Sequence, residues 1–146
     1  MYSYKYPRVA LTTDAIVCVA EKSKADTFIL LIQRGREPYL NQWALPGGFI
    51  EMDEILETAC KRELFEETGL VVDKMTQFKT YDAINRDPRH RTISVVYFTE
   101  LDSKIEVKGG DDAAQANWFS INNLPELAFD HGQIINDFIK TKNLPA

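Results

Sequence analysis

Three glutamates near the middle of the chain, Glu63, Glu66 and Glu67, have the spacing of residues on one face of a helix. Glu63 and Glu67 are one turn apart, which places their Cβ atoms roughly 5–6 Å from each other, and Glu66 lies beside them. Carboxylates crowded in this way repel one another unless a cation offsets their charge. Oxygen ligands without a cysteine or histidine pattern favour magnesium or manganese over zinc. The alternative is a solvated acidic helix face.

A helix that would position these carboxylates is marked at both ends. Asp53 is predicted to cap a helix that starts at about Glu54, and Gly69 is a natural left-handed residue at its end. The glycine pair of the turn Pro46-Gly47-Gly48 precedes this helix and allows a close approach of the backbone. Apolar residues recur between the two ends at helical spacing and predict one buried face: Leu56, Ala59, Cys60 and Leu64.

The stretch from Gly48 to Leu70 resembles the Nudix box, G-x5-E-x7-R-E-U-x-E-E-x-G-U, in which U is an aliphatic residue. All nine specified positions are matched within 23 residues, namely by Gly48, Glu54, Arg62, Glu63, Leu64, Glu66, Glu67, Gly69 and Leu70. The resemblance implies a hydrolase that cleaves diphosphates carrying a nucleoside or a similar group, with a divalent metal as cofactor. It weighs in favour of a metal site and against a solvated acidic face.

Roles for single residues follow from the resemblance. The metal ligands that it implies are the carbonyl of Gly47 and the carboxylates of Glu63, Glu66 and Glu67. Arg62, one turn from Glu66, is expected to orient a carboxylate, and Glu54 to support the loop or the metal shell. Two or three Mg²⁺ ions, or Mn²⁺ in their place, would neutralise the diphosphate and activate a water. The box leaves the general base open.

Segments outside the box resemble the ADP-ribose pyrophosphatase branch of the family and the sensor domain of NrtR-type regulators. They are Trp43–Phe49 (WALPGGF), Arg86–Ser94 (RDPRHRTIS) and Leu127–His131 (LAFDH). Arg86 and Arg89 are therefore candidates for binding the phosphates or the terminal ribose of a substrate, and a polar hairpin loop is the alternative. Arg34, at the end of a predicted strand, is either a further substrate ligand or a surface ion pair.

Five other residues have simpler explanations. Trp118 and Phe119 are expected in the core of a strand. His131 is expected to begin a helix, because no serine or cysteine nucleophile accompanies it. Asp111 and Asp112 follow two glycines and predict a turn, although a carboxylate on such a loop is also a candidate for the general base.

Three short apolar runs predict central strands with both faces covered: Ala15–Ala20, Phe28–Ile32 and Ile93–Phe98. The helix of the box would cover one face. A second amphipathic helix, from His131 to about Lys140 and capped by Asp130, would cover the other. We therefore expect an α/β (α+β) fold, a Nudix-type α/β/α sandwich around a mixed β-sheet, with residues 1–146 as a single domain.

Composition limits the classes of partner. The chain has 17 basic and 22 acidic residues, which argues against general binding of nucleic acid. The N-terminus lacks the apolar run of a signal peptide, and we expect a cytoplasmic protein without membrane partners. A small nucleotide substrate is expected, and homodimerisation is suggested by the ADP-ribose pyrophosphatase relatives alone.

Two classes of function remain open at this stage. The first is hydrolysis of a nucleoside diphosphate, above all of ADP-ribose to AMP and ribose 5-phosphate, with a nucleoside triphosphate (an oxidised dNTP or a pterin triphosphate) as the competing substrate. The second is a non-catalytic module that senses ADP-ribose. All three box glutamates are present, and no winged-helix region follows the last predicted helix in this sequence. Both observations favour the enzyme.

Overall fold

The computed structural model describes residues 3–144, which form seven strands, two α-helices and a short 3₁₀ turn at Lys22–Lys24. The strands are β1 (Ala10–Glu21), β2 (Asp26–Arg34), β3 (Trp43–Ala44), β4 (Gly47–Phe49), β5 (Thr76–Tyr81), β6 (Thr92–Glu100) and β7 (Ala113–Ser120). The helices are α1 (Leu56–Thr68) and α2 (His131–Lys142). The three apolar runs of the sequence lie inside β1, β2 and β6, and these strands are longer than the runs.

The strands form one mixed sheet, as predicted. Its main path runs β3-β2-β1-β6-β5, with β4 paired to β1 and β7 paired to β2. The pairing of β1 with β6 is parallel, and the other strand pairs are antiparallel. The short strand β4 brings the glycine turn of the box beside β1, with Asp14 opposite Gly47.

Each face of the sheet is covered by one helix, which confirms the predicted α/β/α sandwich. Alternate residues of β1 point to opposite faces because the side-chain period of a strand is two. Ala15 and Val17 pack with Cys60 and Leu64 of α1. Ile16 packs on the other face in a cluster that includes Ile134, Ile135 and Phe138 of α2.

The helix of the box begins later than predicted. It starts at Leu56 after Ile55, which makes no side-chain cap, so the assignment of Asp53 as the cap and of Glu54 as the start is wrong. The reason is that the carboxylate of Glu54 accepts the backbone N–H of Glu51 and binds Arg62, which holds Glu54 in a turn before the helix. The end is as predicted, because Gly69 has a left-handed φ of 76° and donates its N–H to the carbonyl of Phe65.

The second helix differs from the prediction in where it ends and in how its start is capped. It begins at His131, as predicted, but continues to Lys142. Asp130 precedes it without capping it through its side chain. That carboxylate instead accepts two hydrogen bonds from Arg86, so the predicted cap is replaced by an ion pair. Within residues 3–144, no helix has both the length and the apolar character needed to cross a membrane.

Candidate active site

A pocket of about 180 Å³ opens where the glycine turn, the end of α1 and the loops after β2 and β5 meet. Its walls include Gly47, Gly48, Glu63 and Glu67 from the box. All three arginines predicted to bind substrate also line it: Arg34, Arg86 and Arg89. The fold therefore brings the predicted metal ligands Gly47, Glu63 and Glu67 together with the arginines, although the two groups are far apart in sequence. Glu54, Arg62 and Glu66 are not among the residues that line the pocket.

Glu67 is a buried carboxylate of the pocket. Its Oε1 accepts a 2.8 Å hydrogen bond from the backbone N–H of Gly47. The pKa of Glu67 is raised to about 8, chiefly by burial and also by the negative charges of Glu63 and Asp14, while the hydrogen bond from Gly47 opposes the rise. This carboxylate is held away from water and forms no salt bridge with any residue of the described range 3–144, an environment in which a metal ion is favourable.

Glu63 depends on the absence of a side chain at Gly48. A Cβ atom on Gly48 would lie 2.6 Å from the carboxyl carbon of Glu63, closer than real Cβ contacts allow. Burial raises the pKa of Glu63, and a 2.9 Å hydrogen bond from Arg62 opposes that effect. The glycine of the box therefore allows the close packing of the turn against the carboxylate of Glu63.

Arg62 forms hydrogen bonds with three carboxylates of the box. Its guanidinium binds Glu54 through Nε and Nη2, at 3.0 Å and 2.6 Å, and its Nη1 lies 2.9 Å from Glu63 and 3.0 Å from Glu66. It also donates to the carbonyl of Phe49 in β4. The bond from Arg62 is the main reason that the pKa of Glu54 is lowered. These contacts fit the orienting role expected for Arg62, which stays a prediction.

Asp14 is a pocket residue that the sequence analysis missed. It lies in β1, is buried, and accepts a hydrogen bond from the hydroxyl of Ser94 in the neighbouring strand β6. Its Oδ1 is 3.7 Å from Nε2 of His131. The signal that could have found it is an aspartate directly before the apolar run of a central strand, since aspartate is seldom buried without a partner.

The arginine loop between β5 and β6 is held by two ion pairs. Arg86 is bound at both Nε and Nη2 by Asp130, at 2.9 Å and 2.7 Å, and its side chain is 4% exposed. Asp87 binds Nε and Nη2 of Arg89 at 3.0 Å and 2.7 Å. Burial works against ionisation of Asp87, but the bonds from Arg89 outweigh it and lower the pKa of this carboxyl. Both guanidinium groups are thus fixed in direction before any ligand binds.

Two arginines of the pocket contact aromatic rings. The guanidinium of Arg34 lies 5.0 Å from the centroid of the Phe129 ring and donates a 2.6 Å hydrogen bond to the carbonyl of Pro38. Arg89 lies 5.2 Å from the ring of Phe49 and 5.6 Å from that of Phe129. These are three cation–π contacts in one pocket, where burial and the like charge of Arg89 lower the pKa of Arg34.

The simpler predictions hold in part. Trp118 and Phe119 lie in β7, partly buried, and pack against opposite core clusters, as expected of strand residues. Asp111 and Asp112 occupy a turn and line the pocket, and Asp112 forms a 3.0 Å ion pair with Arg36. His131 begins α2 but is also a buried residue of the pocket, which the sequence did not indicate.

The chemistry of the pocket fits a divalent cation. Glu67 is buried and Glu63 is half-buried, both with raised pKa values, and the absence of a Cβ at Gly47 and Gly48 lets the backbone approach closely beside them. Among the described residues, no three side chains of the Asp, Glu, His or Cys types converge closely enough to enclose an ion. A site here would therefore need oxygen atoms from the backbone, water or the substrate, as is usual for Mg²⁺.

Several known proteins resemble this chain in sequence or in fold. The NUDIX domain model matches residues 11–138. An ADP-ribose pyrophosphatase of Methanocaldococcus jannaschii is 43% identical, over 96% of this chain and 78% of that protein. The NUDIX domain of Shewanella oneidensis NrtR, solved in complex with ADP ribose, is 29% identical with a TM-score of 0.86, over 96% of this chain and 93% of that one.

A third similar protein was solved with a metal ion. It is a bifunctional NMN adenylyltransferase/ADP ribose pyrophosphatase of Francisella tularensis, complexed with AMP and a Mn ion. It is 33% identical with a TM-score of 0.81, over 94% of this chain and 43% of that one. The chain therefore belongs to the Nudix family, in which it is a hydrolase of the pyrophosphatase class. Nudix hydrolases generally use divalent metal ions.

Proposed function

We propose that this chain hydrolyses ADP-ribose to AMP and ribose 5-phosphate and that it requires Mg²⁺, which Mn²⁺ can replace. The observation that carries the proposal is the pocket itself, in which buried Glu67 and half-buried Glu63 share the lining with Arg34, Arg86 and Arg89. A diphosphate carries negative charge that suits both a cation held by carboxylates and guanidinium groups. The relative from Methanocaldococcus jannaschii, named as an ADP-ribose pyrophosphatase, supports the choice of substrate.

The residues that would hold the metal are those expected from the box. The carbonyl of Gly47 and the carboxylates of Glu63 and Glu67 would bind the principal ion, and Glu66 would join as further ions arrive, to a total of two or three with substrate. The bound metal would supply neutralisation of the diphosphate and a more acidic water for attack on phosphorus. Glu66 would have to leave Arg62, which it meets at 3.0 Å.

The protein side chains have separate tasks in this proposal. Arg62 holds the carboxylates of Glu54 and Glu63 in place, so both carboxylates are already oriented before substrate binds. Arg34, Arg86 and Arg89 would contact the phosphates and the terminal ribose. Because Asp130 and Asp87 fix two of these guanidinium groups, little side-chain entropy is lost when substrate binds.

Proton transfer is the step for which the box provides no residue. Asp111 and Asp112 line the pocket from the turn before β7, opposite Glu63 and Glu67 on α1. A carboxylate there could accept a proton from the attacking water once the loop closes. We assign this role to Asp111, because Asp112 is engaged by Arg36 at 3.0 Å.

A second candidate function is binding of ADP-ribose without turnover. The similarity to the NrtR domain solved with ADP ribose favours it. Three intact box glutamates in this chain favour turnover instead.

We further propose a cytoplasmic location, no nucleic-acid or membrane ligand, and a homodimer. The formal net charge of −5 supports the absence of a nucleic-acid ligand.

A substrate panel tests the proposal. The protein is incubated with Mg²⁺ and ADP-ribose, other nucleoside diphosphate sugars, and oxidised or normal nucleoside triphosphates, and the products are separated by chromatography. Release of AMP and ribose 5-phosphate at the highest kcat/KM of the panel is expected for ADP-ribose. Preferred cleavage of a triphosphate would show that ADP-ribose is not the preferred substrate. Tight binding of ADP-ribose without any product would favour binding without turnover.

A further inference from the structure

The segment Leu127–His131 contacts the strand that leads into the glycine turn. Trp43 donates its N–H to the carbonyl of Glu126, and Ala128 donates its N–H to the carbonyl of Trp43, at 2.8 Å. Leu127 forms an isolated parallel bridge with Trp43. This pairing fixes the start of α2 beside the turn, so that His131 enters the pocket from the side opposite α1.

His131 binds the backbone of the turn directly. Its Nδ1 accepts a 3.0 Å hydrogen bond from the N–H of Leu45, across 86 residues of sequence. A ring nitrogen that accepts a hydrogen bond carries no proton, so the imidazole is neutral and its proton lies on Nε2. Nε2 in turn lies 3.7 Å from Oδ1 of Asp14. The ring therefore touches both the glycine turn and β1, and its tautomer is set by these contacts.

Leu45 and the first two residues of the glycine turn, Pro46 and Gly47, each form a hydrogen bond to a different element. Leu45 is held by His131, the carbonyl of Pro46 accepts the N–H of Ala15 at 2.8 Å, and the N–H of Gly47 is bound by Glu67. The Leu45 and Gly47 contacts are the two that depend on side chains. One comes from the box helix, and the other comes from α2, a helix that has no part in the box.

We propose that His131 is a positioning residue for the metal site, acting through the amide of Leu45 on the carbonyl of Gly47. The inference rests on the proposed function, because it takes Gly47 as a metal ligand. Without an acceptor at Nδ1 the buried N–H of Leu45 has no partner, and the turn shifts until it finds one. A carbonyl ligand displaced in this way binds the metal more weakly, as is seen when the residues that orient metal ligands are removed.

Two substitutions separate this role from simple packing. His131→Asn keeps an oxygen acceptor at nearly the position of Nδ1, whereas His131→Leu keeps volume without an acceptor. Gln133→Leu adds an apolar side chain at an exposed position of the same helical turn and serves as the control. Binding of Mn²⁺ alone, measured by electron paramagnetic resonance without substrate, is the readout, and Glu67→Gln is measured beside it.

We expect His131→Leu to weaken Mn²⁺ binding by about 10–100-fold, the usual cost of losing such a residue. His131→Asn should bind within about threefold of the wild type on the same grounds, and Gln133→Leu should be unchanged. Equal affinities for His131→Leu and the wild type, or equal losses in the Leu and Asn variants, would overturn the inference. Mn²⁺ binding by the wild type that Glu67→Gln leaves intact would reject the proposed metal site itself.

A measurement on the wild type covers the case in which His131→Leu does not fold. Nitrogen-15 NMR of the imidazole reports which ring nitrogen carries the proton. The inference requires the Nε2–H tautomer, with a coupling across the hydrogen bond from Leu45 to Nδ1. An Nδ1–H tautomer, or a doubly protonated ring at neutral pH, would contradict it.

Discussion

The backbone amide of Gly47 donates a 2.8 Å hydrogen bond to the carboxylate of Glu67, twenty residues further along the chain. This contact joins the turn before the box helix to the last turn of that helix. It orients one oxygen of Glu67 toward the backbone and holds Gly47 at the pocket. The glycine turn and the acidic helix of the box are therefore parts of one site, and disturbing either should change the other.

Gly48 should tolerate no side chain. In Gly48→Ala the added Cβ would lie 2.6 Å from the carboxyl carbon of Glu63, so that carboxylate or the turn must move. We expect at least a tenfold loss of kcat/KM but little change in the free energy of unfolding, because the atoms that the Cβ meets are the far end of the flexible Glu63 side chain. Gly132→Ala is the matched control, because its new Cβ meets only a leucine methyl at 3.8 Å. If both variants keep full activity, Glu63 does not need the close approach at Gly48.

The stability of the metal-free protein should depend on pH through Glu67. The pKa of this carboxyl is raised by burial from 4.5 to about 8 in the folded chain. Between these values the unfolded chain has released a proton that the folded chain keeps, so the free energy of unfolding falls as pH rises through this window. Below pH 4.5 the carboxyl is protonated in both states, and this loss is absent.

Urea unfolding in EDTA at pH 5, 6.5 and 8 measures this effect. Glu67→Gln keeps the acceptor for Gly47 but does not titrate, and it should gain stability relative to the wild type as the pH rises. Mg²⁺ should restore the wild type at pH 8 more than at pH 5. Parallel pH profiles of the two proteins would mean that Glu67 is ionised in the folded state throughout.

Arg86 should matter for stability as well as for substrate. Its guanidinium is buried against Asp130, so Arg86→Met leaves that carboxylate without its cation. Breaking a buried pair in this way costs about 3–5 kcal/mol in the free energy of unfolding. Arg36→Met removes an exposed partner of Asp112 and should cost less than about 1 kcal/mol. Similar losses in the two variants, measured by urea unfolding, would show that burial of the Arg86 pair is unimportant.

Local patterns predicted the elements of the fold well. The apolar stripe of the box helix, its end at Gly69 and the three central strands all depend on neighbours within a few residues. The predicted caps at Asp53 and Asp130 were wrong for different reasons. Arg62 binds Glu54 before the helix that begins at Leu56, whereas Arg86 binds the carboxylate of Asp130 itself.

The missed residues of the site depend on contacts between distant parts of the chain. Asp14 meets Ser94 across 80 residues, and His131 meets Leu45 across 86. Neither pairing has a periodic signal, because it exists only after β6 and α2 have packed on β1. The proximity of Glu63, Glu66 and Arg62 could be predicted, since they lie within one helix whose spacing already brings them together.

The central claim is that Glu67 holds a metal that drives the release of AMP from ADP-ribose. The most direct test is the rate of AMP release at saturating ADP-ribose and Mg²⁺, for the wild type, for Glu67→Gln, and for Glu57→Gln as a control on the same helix. We expect Glu57→Gln to match the wild type, Glu67→Gln to lose at least a hundredfold with its fold intact, and EDTA to stop the wild type. A Glu67→Gln protein that releases AMP at the wild-type rate, or a wild type unaffected by EDTA, would contradict the account.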